Sequence, residues 1–163
     1  YAVCFDVEPE IWQKAEDNQY VPETSLTDTE IRMPGGHLTI AQLIALLNTI
    51  PMEITFVDVD NINRFFNEGP KDFKRPGMAI DREVFSCHPP KIEATVRRII
   101  GEFRAGALDE VPIWMDKNGK CMLVRYMAVR DKEGKYLGTL ELVQDMGFAK
   151  EHFQKKEEKA ELW

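Results

Sequence analysis

The chain has 163 residues, 44% of them hydrophobic and 30% charged, which suits one domain able to close a core, since domains run to roughly 100–200 residues. Lys and Arg number 21 against 28 Asp and Glu, and the formal charge of −7 speaks against wholesale binding to nucleic acid or anionic lipid, which needs clustered cations. No stretch approaches the ~18 consecutive apolar residues of a membrane span, and no tract is of low complexity.

Residues 1–37 hold Pro9, Pro22, Pro34 and Gly35-Gly36 and read as a leader or linker with one short helix, Pro9 to Ala15, that has proline at its first position. The opening residue is Tyr1 and not Met, so the chain reads as a piece of a longer protein. At Thr39 and Gln42 an S/T-x-x-E/Q capping box, with Leu38 and Leu43 as its hydrophobic staple, predicts a helix start. Ile40, Leu43, Ile44 and Leu47 recur at helical spacing, and Pro51 stops the helix. Met52 to Val57 alternates as a strand, Asp58-Val59-Asp60-Asn61 supplies a turn, and Ile62 to Phe66 completes an antiparallel hairpin.

From Glu68 to Pro90 the density of Pro and Gly allows only short helical turns and loop. A long helix then begins at Pro90, with Ile92, Val96, Ile99, Ile100 and Phe103 as its apolar stripe and Gly106 to close it. Asp116-Lys117-Asn118-Gly119-Lys120 and Asp131-Lys132-Glu133-Gly134-Lys135 are two turn signals between β-rich runs, which predicts strands at about Glu110–Met115, Cys121–Arg130 and Tyr136–Gln144. Residues 148–163 form a charged helix that leaves the core.

Chemistry-bearing motifs are sparse. There is no G-x-G-x-x-G, phosphate loop, G-x-S-x-G or H-E-x-x-H, so the chain does not read as an enzyme. Asp58-Val59-Asp60 opens like a calcium loop, but Asn63 and Gly69 stand where Gly and Glu are needed, and it reads as a solvated turn. Cys4, Cys87 and Cys121 are far apart and odd in number, with no apolar signal segment, which suits a reduced cytoplasmic protein. Cys87-His88-Pro89-Pro90 places a thiol and an imidazole where the long helix begins. A redox or metal-responsive role is conceivable there, but a small buried thiol, a helix-start histidine and a stiff first turn account for the motif as well. No set of donors for a metal is apparent in the spacing of His37, His88 and His152.

The order of hairpin, irregular segment, long helix and three-stranded meander resembles the PAS fold. Met52-Glu53-Ile54-Thr55-Phe56-Val57-Asp58 resembles its first strand, Val84-Phe85-Ser86-Cys87-His88-Pro89 the approach to its long helix, and Tyr136-Leu137-Gly138-Thr139-Leu140-Glu141 its last strand. The Leu38–Ile50 helix with Cys87-His88-Pro89-Pro90 and Gly138-Thr139-Leu140-Glu141 is similar to the PAS-like domain at the end of bacterial and archaeal proteins that also carry a hemerythrin-like domain. The resemblance covers residues 38–147. It implies an α/β (α+β) fold in which a five-stranded antiparallel sheet is flanked by helices, the first and last strands pair, and an extra helix precedes the sheet.

It also implies a sensory or signalling module that binds a small ligand and relays its state through flanking helices or dimerisation; a cofactor-free association module is the alternative. The expected pocket residues are Ile54, Phe56, Phe65, Ile92, Val96, Ile113, Val124, Tyr126 and Leu140, and plain core packing is the competing reading of each. A small apolar ligand fits such a lining, whereas the long helix offers no histidine to a haem. The expected partners are a second copy, through Leu43, Ile44, Leu46 and Leu47, and a linked domain such as the hemerythrin-like one. Many PAS domains join the last strand to an output helix with Asp-Ile-Thr; here the string is Asp145-Met146-Gly147, and the glycine is expected to loosen that joint.

Overall fold

The computed structural model describes residues 28–69, 71–73 and 79–160, so the helix expected at Pro9 to Ala15 lies outside the described residues. Within the stretch read as leader, the chain forms a two-stranded ribbon of β1 (Glu30–Met33) and β2 (Gly36–Thr39), paired antiparallel. Pro34 and Gly35 make its turn, and Gly36 takes a φ of 141° that suits a residue without a Cβ. These Pro and Gly residues, read as loop punctuation, serve as a hairpin connection.

Helix α1 (Ile40–Thr49) starts as the sequence predicts. The Thr39 side chain accepts from the Gln42 amide at 3.1 Å, and the Gln42 side chain accepts from the Thr39 amide at 2.9 Å. None of the residues of α1 is buried, although the helix is rich in Leu and Ile. After it come β3 (Glu53–Asp58) and β4 (Asn63–Phe66), an antiparallel hairpin whose turn is built on one carboxylate. Asp58 Oδ1 accepts from the amides of Asp60 and Ile62, and Oδ2 accepts from Arg64 Nε at 2.5 Å. Asp58-Val59-Asp60 is thus a turn device.

A 3₁₀ turn at Val84–Cys87 leads into α2 (Pro90–Ala105), which has proline at its first position and ends on Gly106 at φ 74°. The meander follows as β5 (Glu110–Lys117), β6 (Lys120–Arg130) and β7 (Tyr136–Asp145). Asn118 and Gly119 both have positive φ, at 54° and 79°, as a two-residue hairpin turn requires. The five strands form one antiparallel sheet in the order β4-β3-β7-β6-β5. The last strand therefore lies at the centre and pairs with the first strand of the sheet, Phe56 opposite Leu140 and Thr55 opposite Glu141.

Helix α2 lies over one face of this sheet. Val96, Ile99, Ile100 and Phe103 from the helix, Val84, Phe85 and Phe73 from the irregular segment, and Val57, Met122, Val124, Tyr126 and Val143 from the sheet make the core. The far end of α2 is fastened by Arg104, which donates to Val59 O and Asn61 Oδ1, and by Arg130, which donates to Phe103 O. Helix α3 (Gly147–Ala160) leaves β7 directly. Its start is held twice, by Met146 N donating to Cys121 O at 2.7 Å and by Gly147 N donating to Asp145 Oδ1 at 2.8 Å. The joint expected to be loosened by glycine is therefore held by two successive backbone amides.

Candidate functional site

Strand parity decides which side chains meet α2. Successive residues of a strand point to opposite faces, and directly paired residues of neighbouring strands share a face. Val57, Thr139, Glu141, Val143, Met122, Val124 and Tyr126 are all buried on the helix side. The register then carries Thr55, Glu141 and Tyr126 in one row across β3, β7 and β6 on that face.

Between this face and α2 lies a cavity of about 20 Å³ lined by Val57, Val84, Val96, Ile99, Ile100, Tyr126, Thr139 and Glu141. A space of this size is enough for one water, which needs about 10–15 Å³ by the same measure. Its helix wall is wholly apolar, and its sheet wall carries a carboxylate, a phenol and a threonine hydroxyl. Glu141 is 2% exposed, and a carboxylate is seldom brought so far from water without a specific use for its oxygens. Thr139 shares a 2.7 Å hydrogen bond with the Tyr136 hydroxyl. Burial pushes the Tyr136 phenol above its ordinary pKa, a rise that the Thr139 bond and the Arg104 and Arg130 charges only partly oppose.

Of the residues expected at the pocket, Val96 and Tyr126 line the cavity. Val124 is fully buried in the same core, and Ile92 and Ile113 pack against it. Ile54, Phe56 and Leu140 fall on the opposite face of the sheet because they alternate with Thr55, Val57, Thr139 and Glu141, and Phe65 joins them as the partner of Phe56. The sequence reading chose the more apolar set of each strand as the inward one. Thr55, Thr139 and Glu141 were missed for that reason, although each stands inside a quoted strand string. The signal available was the neighbourhood of Val57 and Val143, which share their parity.

The motif before α2 is partly placed. His88 is buried, with Nδ1 2.7 Å from Val84 O, which joins the 3₁₀ turn to the start of the helix. Cys87 closes that turn, and its side chain lies outside the described ones. Among the described residues no group of three or more His, Cys, Asp and Glu is placed to hold a metal ion. Cys121 is a free, half-buried thiol on β6.

A family profile described as a PAS domain matches residues 43–147. No curated protein matches the chain. Among solved structures, the chain is similar to a C-terminal domain from Streptococcus mutans, with 37% identity and a TM-score of 0.70 over 74% of this chain and 94% of that one. It is also similar to the PAS domain of a protein from Colwellia psychrerythraea, with 15% identity and a TM-score of 0.47 over 65% of this chain and 95% of that one. A sensory box sensor histidine kinase from Vibrio cholerae gives 12% identity and a TM-score of 0.45 over 63% of this chain and 87% of that one.

Proposed function

The chain belongs to the PAS domain family, and from that premise we propose that it is a non-catalytic sensory module that takes a small ligand between the sheet and α2 and passes its presence to α3 or to a second copy. The observation that carries this reading is the polar row under the helix. Thr55, Glu141 and Tyr126 sit side by side on a face they share with Val57, Val124 and Val143, and hydrophobic residues of similar volume would stabilise a purely structural core at least as well. With about 20 Å³ free, the site accepts a ligand larger than water only as α2 or the 3₁₀ turn shifts away from the sheet, and that movement is the signal. The fastening of α3 to Asp145 and Cys121 supports a relay from β7 into the terminal helix. A cytoplasmic location is part of the same reading.

The test is native mass spectrometry of the protein purified from its own source, beside a Val96→Phe variant in which the cavity is filled. A small-molecule mass retained by the wild type and missing from a folded Val96→Phe protein is expected. A wild type that carries no added mass, and whose thermal midpoint responds to none of a panel of small metabolites, defeats the ligand reading.

The second reading, an association module without ligand, is favoured by one observation. Helix α1 buries none of its residues, and Leu46 is 48% exposed on it. A homodimer through α1 covers that surface. The similarity of the strings around Cys87 and Glu141 to domains linked to hemerythrin-like ones makes such a domain a candidate receiver of the output.

A further inference from the structure

We infer that the chain has a second binding site, a surface cleft that takes the ammonium head of a small alkylamine where β3 begins and β7 ends. The cleft has a volume of about 340 Å³ and lies on the same face of the sheet as the inner cavity, at its open end. The buried side chains of Met122 and Val143 form its floor. The inference stands whether or not a ligand occupies the inner cavity.

The walls are acidic. Glu53, Glu68, Asp72 and Asp145 all line the cleft. Lys120 pairs with two of them, 2.6 Å from Asp72 Oδ1 and 3.8 Å from Asp145 Oδ2. The last residues of α1, Asn48 and Thr49, with Ile50 after them, form another wall, and the last turn of that helix holds no basic residue. The negative end of the helix dipole thus adds to the carboxylates, and the helix supplies no cation of its own to offset it.

Acidic walls alone do not make a site, and the deciding group is Glu53. It is 7% exposed, and its Oε1 accepts from the amides of Asp72 at 2.5 Å and Phe73 at 3.3 Å. Its Oε2 is buried and has no hydrogen-bond partner among the described residues. A carboxylate oxygen withdrawn from water and left without a donor is expensive, so a donor brought by a ligand is strongly favoured there.

The geometry selects the class of ligand. A divalent cation needs several oxygens converging on one point at about 2.0–2.6 Å, and no such convergence exists among the described residues. An ammonium instead carries three donors that diverge, which matches acceptors spread around a space. Glu53 Oε2 takes one donor as its carboxylate turns toward the cleft, Asp145 lies on the neighbouring strand on the same face and Glu68 lines the same space, and a short methylene chain rests on Met122 and Val143.

The test is an NMR titration of the ¹⁵N-labelled chain with 1,4-diaminobutane and with propylamine, beside arms of sodium chloride at equal ionic strength and of magnesium chloride. Saturable shifts of the Glu53, Asp72 and Phe73 amides with the amines are expected, with a roughly tenfold weaker Kd in Glu53→Gln and a tighter one in Lys120→Met. If the Glu53→Gln spectrum shows an unfolded chain, the double variant Glu68→Gln with Asp145→Asn takes its place, with the same tenfold loss expected. The inference is overturned by the absence of saturable shifts up to about 10 mM amine. A response equal to that of sodium chloride, stronger binding of magnesium, or an unchanged Kd in the folded variant overturns it as well.

Discussion

Gly138 shows how tightly single positions are set. It faces β3 across the centre of the sheet, and a Cβ built there runs into the Val57 carbonyl oxygen and comes within 2.8 Å of two Phe56 ring carbons. Backbone of a central strand cannot yield as a flexible side chain can, so Gly138→Ala is expected to destabilise by about 2–4 kcal/mol, read as a lowered urea midpoint. A loss below about 0.5 kcal/mol, the usual size for a neutral surface change, counts against the close approach. Asp58 makes a different kind of prediction. Burial raises its pKa, but the amides of Ile62 and Asp60 and the Arg64 guanidinium together outweigh that and hold its carboxyl below the ordinary value. A depressed acid stabilises the fold above its unfolded pKa, about 3.9, and loses that contribution as pH falls through the folded value. Asp58→Asn is therefore expected to flatten the dependence of stability on pH below about 4, and an unchanged acid limb refutes the assignment.

Element boundaries were legible wherever one residue type has one physical use. Thr39 with Gln42, Pro90, Gly106 and Asn118-Gly119 each mark a point at which the backbone needs a particular cap, a fixed φ or a positive φ, and the structure uses each of them so. The β1–β2 ribbon was not legible because its strands are four residues long and its residues are largely exposed, so no alternation stands out from Glu30 to Thr39. The facing of β3 and β7 was illegible for another reason. Period-two alternation says that a segment is a strand, but the choice of inward face rests on which set is more apolar, and here the inward set contains Glu53, Thr55, Thr139 and Glu141. The candidate site was unevenly readable as a result: Val96 on α2 and Val124 and Tyr126 on β6 face the space between helix and sheet, whereas the residues chosen on β3, β4 and β7 lie on the other face. Helix α1 carries its own prediction. Leu46→Lys is expected to turn a sedimenting dimer into a monomer without altering the thermal midpoint of the domain core, and a dimer that survives the substitution removes α1 from the interface.

At the scale of the whole molecule, the sheet order fixes how the parts depend on one another. Strand β7 is hydrogen-bonded to β3 along one side and to β6 along the other, so it alone joins the β3–β4 hairpin to the β5–β6 hairpin. A chain ending at Arg130 keeps both hairpins and α2 yet lacks the joining strand. It is expected to unfold without a cooperative transition in urea, since a lone two-stranded ribbon is marginal in water. A sharp transition in that truncated chain refutes the dependence. The same placement bears on synthesis. The ribosome releases both hairpins, each with the edge that β7 will cover still bare, before the segment from Tyr136 to Asp145 that will lie between them. Until that segment has emerged the growing domain has two sticky ribbons and no sheet, so the most aggregation-prone interval of its synthesis comes just before β7 leaves the ribosome, and a pause after that emergence is safer for it than a pause before.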